Sequence, residues 1–216
     1  MESIELATGP SPSAAVIWLH GLGADGHDFE PIVPELRLPA SLAVRFVFPH
    51  APVRPVTLNQ GMRMRAWYDI FQLGGGAEDD AGIRASQAAV DELVMEQTRK
   101  GISTRKIVLA GFSQGGAIVL QTALRHPAPL AGVLALSTYL PLASALDAEI
   151  HEANRGTPIF MAHGEYDDVI PLRRAEQSAQ LLKGAGYEVE WHTYPMPHSV
   201  CADEIGDIRE FLIRIL

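Results

Sequence analysis

The chain has almost no cysteine and no surplus of positive charge. Cys201 is the one cysteine among 216 residues, so no disulfide can form within the chain, as is usual in a reducing compartment. Acidic side chains outnumber lysine and arginine by 26 to 17, which gives a formal net charge of −9. Because no run of basic residues interrupts this acidic surplus, the sequence argues against a nucleic-acid-binding surface.

Long hydrophobic segments are also missing. No apolar run approaches the roughly 20 residues that a membrane-spanning helix needs, and residues 1–6 lack the basic and then apolar pattern of a secretory signal. We therefore expect a cytoplasmic protein with no integral membrane segment. The 216 residues, 47% of them hydrophobic, are enough for one sizeable core, so we expect a single domain over residues 1–216.

Short apolar runs are present, and they alternate with helical patterns. Runs typical of buried strands cover 14–19, 44–48, 106–110, 131–136, 158–162 and 189–194, with an additional edge strand at 3–7. Helical patterns cover 80–100, 114–125, 172–183 and 203–216. This alternation predicts an α/β fold with a mostly parallel central sheet and helices on both faces. We interpret residues 49–76, a long irregular stretch, as an ordered wall of the functional site.

The most informative motif is Gly111-x-Ser113-x-Gly115, which lies between the strand at 106–110 and the helix at 114–125. A serine in this setting is the nucleophile elbow of serine hydrolases, where small neighbours let the strand and the helix approach closely. The alternative is a glycine-rich turn without chemistry. Ser113 lies just beyond the carboxyl end of a strand, where open α/β sheets bind their ligands. This position favours the catalytic interpretation.

A serine nucleophile needs a histidine base and an acid that orients it, in the chain order serine, acid, histidine. After the strand at 158–162 come the adjacent acids Asp167 and Asp168, and after the strand at 189–194 comes His198. Neighbouring side chains of an extended loop point in opposite directions, so one acid of the pair can face His198. We interpret His20 and His163, each followed by glycine, as residues that structure their loops.

An oxyanion hole needs two backbone amides, of which one belongs to the residue after the nucleophile, Gln114. For the second we select Leu22, in the glycine-rich loop after the strand at 14–19. No spacing typical of metal ligands is present: His151-Glu152 lacks the second histidine of a zinc-binding helix. The residues that we expect to line the substrate pocket are Leu22, Trp67, Leu73 and Val169.

Several segments together resemble the phospholipase/carboxylesterase family, the acyl-protein thioesterase-like branch of the α/β-hydrolases, and most closely its short bacterial carboxylesterases. The segments are VIWLHGLG (16–23), FPHAPVRPVT (48–57), WYD (67–69), GFSQGG (111–116), LSTY (136–139) and HGEYD (163–167). The resemblance implies an α/β-hydrolase fold without a separate lid domain. It also implies no cofactor, the triad Ser113, Asp167 and His198, and oxyanion amides at Leu22 and Gln114. Because some bacterial members form dimers, the resemblance also allows a homodimer.

We therefore expect a serine carboxylesterase that hydrolyses small short- to medium-chain esters through an acyl-enzyme. The alternatives are a lysophospholipase or an acyl-protein thioesterase, since the same residues can cleave those substrates, and, more remotely, a hydrolase-fold binding module without catalysis. Eukaryotic thioesterases of this family usually carry Asp-Pro-Leu-Val-Pro where this chain has Asp-Asp-Val-Ile-Pro at 167–171. That departure weighs against a protein-depalmitoylating role.

Overall fold

A computed structural model describes residues 1–72 and 76–216. Its main sheet has seven strands in the order β1-β3-β2-β6-β7-β8-β9, in which β1 is antiparallel to β3 and the remaining pairs are parallel. The strands are β1 (Ser3–Ala7), β2 (Ala14–Leu19), β3 (Val44–Pro49), β6 (Ile107–Phe112), β7 (Gly132–Leu136), β8 (Ile159–Gly164) and β9 (Val189–Tyr194). Because the parallel strands end at one edge of the sheet, the loops that follow them meet there.

Both faces of the sheet are covered by helices, as the sequence predicts. Along β2, residues Ala15, Ile17 and Leu19 face one buried cluster and Ala14, Val16 and Trp18 face the other, which is the alternation expected of a strand buried on both sides. The first cluster includes residues of α2 (Asp80–Arg99), α3 (Gln114–Arg125) and α5 (Leu172–Gly184). The second includes residues of α1 (Ile32–Glu35) and α6 (Ala202–Ile215). A further short helix, α4, spans Leu146–Glu149.

The predicted strands and long helices are all present, with shifts of one or two residues at several ends. The main difference lies between β3 and α2, where the sequence predicted irregular structure. Here β4 (Val53–Val56) and β5 (Met62–Arg65) form a separate antiparallel ribbon. Within the described residues, no helix is both long and apolar enough to cross a membrane.

Candidate active site

Ser113 occupies a strained turn between β6 and α3. Its backbone φ of 54° and ψ of −119° belong to a region that side chains other than glycine rarely adopt. The neighbouring glycines make this turn sterically feasible: a Cβ at Gly111 would lie 2.4 Å from the Gly115 carbonyl carbon, and a Cβ at Gly115 would lie 2.4 Å from the Leu19 oxygen. The glycine pattern predicted from the sequence therefore has a direct steric cause.

Hydrogen bonds hold the strained serine from two sides. The Ser113 amide donates to the Leu136 carbonyl at 2.9 Å, and the Thr138 hydroxyl donates to the Ser113 carbonyl at 2.7 Å. Both partners lie on or just after β7, the neighbouring strand. The backbone N–H and C=O of the serine are therefore both fixed by β7 and the residues that follow it.

Asp167 and His198 form a close pair at the same edge of the sheet. His198 Nδ1 lies 2.6 Å from Asp167 Oδ2, and the Asp167 side chain is fully buried. The other carboxylate oxygen, Oδ1, accepts the amides of Val169 at 2.9 Å and Ile170 at 2.8 Å. Asp168 is exposed, and α5 has no side-chain cap. Of the two acids, the structure pairs Asp167 with His198.

The ring of His198 also lies beside the elbow, since its centroid is 4.7 Å from that of Phe112, the residue before Ser113. Within the described residues, Ser113 Oγ and His198 Nε2 are not hydrogen-bonded to each other. Catalytic hydrogen bonds are often long in unliganded enzymes and tighten when substrate binds. The geometry brings the three predicted residues to one edge of the sheet, with the acid–histidine contact already formed.

His163 is a buried histidine that contacts the Asp167 carboxylate. Its Nε2 lies 2.8 Å from the Ile170 carbonyl and 3.2 Å from Asp167 Oδ2, and its side chain is fully buried. A carbonyl can only accept, so Nε2 carries the proton, and burial lowers the pKa of the ring. A neutral His163 therefore structures its segment, as the sequence suggested. Its contact with the acid was not foreseen, although the spacing of four residues could have suggested it.

The loop after β2 passes directly beside the nucleophile. A Cβ at Gly21 would lie 3.5 Å from the Ser113 Cβ. His20 holds this loop, because its Nδ1 contacts the Gly21 carbonyl at 2.7 Å and its Nε2 accepts the Ala51 amide at 3.1 Å. Among the described residues, the backbone amides of Leu22 and Gln114 have no hydrogen-bond acceptor. Both amides are therefore available to an oxyanion.

The side chain of Gln114 has a role that the sequence did not reveal. Its Oε1 accepts the Trp67 amide at 2.8 Å, and its Nε2 donates to the Tyr68 carbonyl at 2.7 Å. A buried glutamine that satisfies both groups of one peptide segment fixes that segment against the elbow. The wall at Trp67 and Tyr68 is thus attached to the residue that follows the nucleophile.

A cavity of about 80 Å³ opens beside Ser113 and Gln114. Two of the predicted lining residues, Leu22 and Val169, border it. Trp67 does not: it is fully buried, and its indole N–H donates to the His20 carbonyl at 2.9 Å. Its prediction as a lining residue is therefore corrected to a packing role behind the site. Leu73 lies outside the described residues. The residues that border the cavity include Tyr68, Ile70, Tyr139, Ile170 and Arg174.

Over residues 1–72 and 76–216, no group of three or more histidine, cysteine, aspartate or glutamate side chains is arranged to hold a metal ion. The polar groups around Ser113 are instead a histidine, a buried carboxylate and backbone amides. These are the groups that acyl transfer to a serine requires.

A mostly parallel sheet with a strained serine between a strand and a helix defines an α/β-hydrolase. A family model described as Phospholipase/Carboxylesterase matches residues 3–216. The chain therefore belongs to the phospholipase/carboxylesterase family, and it is a hydrolase that acts on ester bonds.

Two curated relatives and one solved structure extend this comparison. An acyl-protein thioesterase 1 from Neurospora crassa is 44% identical over 215 residues, which cover 94% of this chain and 87% of the relative. The acyl-protein thioesterase 1 of Gibberella zeae is 42% identical over 214 residues, covering 94% and 91%. The crystal structure of Zea mays acyl-protein thioesterase 2 superposes with a TM-score of 0.86 at 27% identity, covering 99% and 98%.

Proposed function

We propose that the protein is a serine hydrolase of acyl thioesters and related esters, with acyl-protein thioesterase as the best-supported activity. The observation that carries the chemistry is the 2.6 Å contact between His198 and Asp167 at the edge where the strained Ser113 lies. The thioesterase assignment is supported by the fungal relatives, which are 42% and 44% identical over most of both chains. We expected a short-chain carboxylesterase first, and these relatives favour the alternative.

In the proposed mechanism, Ser113 Oγ attacks the carbonyl carbon of the substrate. His198 Nε2 takes the hydroxyl proton, and Asp167 stabilises the imidazolium and holds its Nδ1 proton. The amides of Leu22 and Gln114 bind the oxyanion of the tetrahedral intermediate, at the positive end of α3. The intermediate then expels the thiol or alcohol, which receives the proton from His198, and leaves an acyl-serine.

Water completes the cycle by the same steps in the second half-reaction. His198 removes a proton from the water as its oxygen attacks the acyl-serine, and the oxyanion again occupies the site between the two amides. Collapse releases the carboxylic acid and returns the proton to Ser113. The steps balance with groups of this chain, the substrate and one water molecule.

A short-chain carboxylesterase is the second candidate, and the size of the cavity favours it. The volume of about 80 Å³ beside Ser113 is far below the roughly 300–1,000 Å³ of pockets that enclose drug-sized ligands. A cavity this small holds few atoms of an acyl chain. A long chain would have to leave it and continue along the surface.

Labelling and kinetics test the proposal in two stages. A fluorophosphonate should add one label per chain, on the peptide that contains Ser113, and Ser113→Ala should abolish the labelling. Ser199→Ala is the matched control, because it removes the serine next to His198. This variant should be labelled as strongly as the wild-type protein. A label on Ser137 or Ser199 would overturn the assignment of the nucleophile.

The substrate class is then decided by comparing kcat/KM on an S-acylated peptide, a lysophospholipid and a series of nitrophenyl esters. Thioesterase function predicts the highest value on the S-acylated peptide. A value that is highest on nitrophenyl butyrate and falls with chain length would assign a short-chain carboxylesterase instead. A preference for the lysophospholipid would assign the lysophospholipase alternative.

A further inference from the structure

One side of the cavity beside Ser113 is formed by a cluster of three polar side chains, Tyr68, Tyr139 and Arg174. The two tyrosine hydroxyls are 2.8 Å apart. The Arg174 guanidinium carbon lies 3.4 Å from the centroid of the Tyr139 ring, where the cation and the aromatic face attract each other. The cluster therefore places a fixed positive charge in the cavity that the nucleophile also borders.

This positive charge has no acidic partner. Within residues 1–72 and 76–216, no carboxylate oxygen lies within 4.0 Å of the Arg174 guanidinium, as is also true of the half-buried Arg65, whereas Arg54, Arg84 and Arg125 each have such a partner. Arg174 is half-buried, and an arginine removed from water is normally paired. Arg65 donates instead to the Ala51 carbonyl at 3.0 Å, whereas Arg174 lines the cavity that Ser113 also borders.

Groups around Arg174 do not neutralise it. Burial raises the pKa of Tyr68 and of Tyr139, so both hydroxyls stay protonated at neutral pH and carry no charge. Glu78 acts electrostatically on both tyrosines, but its Oε2 accepts the Leu142 amide at 3.0 Å. Glu78 makes no ion pair with Arg174 within 4.0 Å, and beyond the hydrogen bond to the Tyr139 hydroxyl the guanidinium has further N–H groups that can bind an anion.

We propose that Arg174, stacked on Tyr139 and assisted by the one hydroxyl proton that the Tyr68–Tyr139 pair leaves free, forms a subsite for an anionic group of the substrate. The inference rests on the proposed function, because it names the class of ester or thioester that Ser113 would cleave. The fork of N–H groups on a guanidinium matches a carboxylate in two parallel hydrogen bonds. A substrate with a carboxylate a few atoms from its scissile carbonyl would be bound here, in a chain whose net charge of −9 otherwise repels anions.

The carboxylate could lie on either side of the bond that is cleaved, and two pairs of probes distinguish the sides. The acyl-side pair is the mono-4-nitrophenyl ester of glutaric acid and its neutral methyl ester. The leaving-group pair is the butyryl thioester of 3-mercaptopropionate and that of its methyl ester. The ratio of kcat/KM between the charged and the neutral member of each pair is measured for every variant.

The informative variants are Arg174→Gln, which removes the charge, and Arg174→Lys, which keeps it without the planar fork. Arg173→Gln is the matched control, because Arg173 is exposed, precedes Arg174 on α5 and carries the same charge. For one of the two pairs, Arg174→Gln should lower the charged-to-neutral ratio by about tenfold or more, as loss of a charged hydrogen bond predicts. Arg174→Lys should retain part of the ratio, and Arg173→Gln should leave it unchanged.

Two outcomes would overturn the subsite. In the first, the wild-type protein cleaves the neutral probes and Arg174→Gln leaves both kcat/KM ratios unchanged. Arg174 then does not bind the anionic group of the substrate, whereas the proposed hydrolase function stands. Equal losses in Arg174→Gln and Arg173→Gln would assign the effect to net charge and would also overturn it. A wild-type protein that cleaves none of the four probes would contradict the proposed function and, with it, this inference.

Discussion

The substitution Asp167→Asn tests the site most directly, because the structure specifies what an amide would meet. The carboxylate accepts three N–H groups, the amides of Val169 and Ile170 at Oδ1 and the ring of His198 at Oδ2. An asparagine of the same shape has one acceptor oxygen and one N–H₂ group. Whichever way the amide turns, its N–H₂ group faces at least one other donor: two backbone amides at one position, or His198 at the other.

The two backbone amides should keep the oxygen, because they come from the loop that holds the side chain. The N–H₂ group then faces His198, whose Nδ1 must give up its proton to accept a hydrogen bond. The imidazole is thereby held with its proton on Nε2, and it can no longer take the proton of Ser113. Such a tautomer error costs on the order of 10⁴-fold in kcat, or about 5 kcal/mol of transition-state stabilisation.

Asp168→Asn is the matched control, since it makes the same chemical change one residue away on an exposed side chain. Because α5 has no side-chain cap, we expect neither a loss of activity nor a measurable loss of stability. Steady-state kinetics on both purified variants, with circular dichroism to verify folding, provide the measurement. A folded Asp167→Asn protein with near wild-type kcat, or an inactive Asp168→Asn protein, would refute the assignment of the orienting acid.

Three further substitutions test other features of the structure. Burial raises the pKa of Glu204 from 4.5 to about 8, so between these values the folded protein keeps a proton that the unfolded chain releases, and stability falls as the pH rises. In urea unfolding, the free energy of unfolding of Glu204→Gln minus that of wild type should therefore increase between about pH 5 and pH 8.5. A difference that stays constant over this range would contradict the raised pKa of Glu204. Ser113→Gly should be about 1–3 kcal/mol more stable than Ser113→Ala in thermal unfolding, because glycine relieves the strained φ of 54°; equal melting temperatures would argue against strain. Gln114→Ala should cost about 2–5 kcal/mol in urea unfolding, because it leaves the Trp67 amide and the Tyr68 carbonyl unpaired; a loss below about 1 kcal/mol would show that these groups find other partners.

The sheet was predictable because its strands are buried on both faces, so that burial imposes a nearly continuous apolar pattern. The ribbon of β4 and β5 was missed for the opposite physical reason. Its strands are largely exposed or half-buried, and Pro55 and three arginines lie within the two strands. The alternation in β5 (Met62–Arg65) covers only four residues and β4 (Val53–Val56) does not share it, so the pattern was too short to predict a ribbon.

In the site, residue types that chemistry restricts were easier to predict than residues that only fill space. The turn at Ser113 demands particular neighbours, and the strand–turn–helix context places it. Trp67 shows the limit: a large aromatic residue near a site can line it or pack behind it, and composition does not distinguish the two. The hydrogen bonds of the Gln114 side chain to residues 67 and 68 depend on long-range packing, which a single sequence does not display.

Different loops supply the proposed acyl-transfer groups and the proposed anion subsite. Ser113 follows β6, Asp167 follows β8 and His198 follows β9, whereas Tyr68 follows β5, Tyr139 follows β7 and Arg174 lies on α5. The orienting acid is held mainly by amides of its own loop, so changes at Arg174 need not disturb it. It follows that preference for substrate charge and the rate of acyl transfer should vary independently. Substitutions at Arg174 should therefore alter the ratio of kcat/KM between charged and neutral substrates.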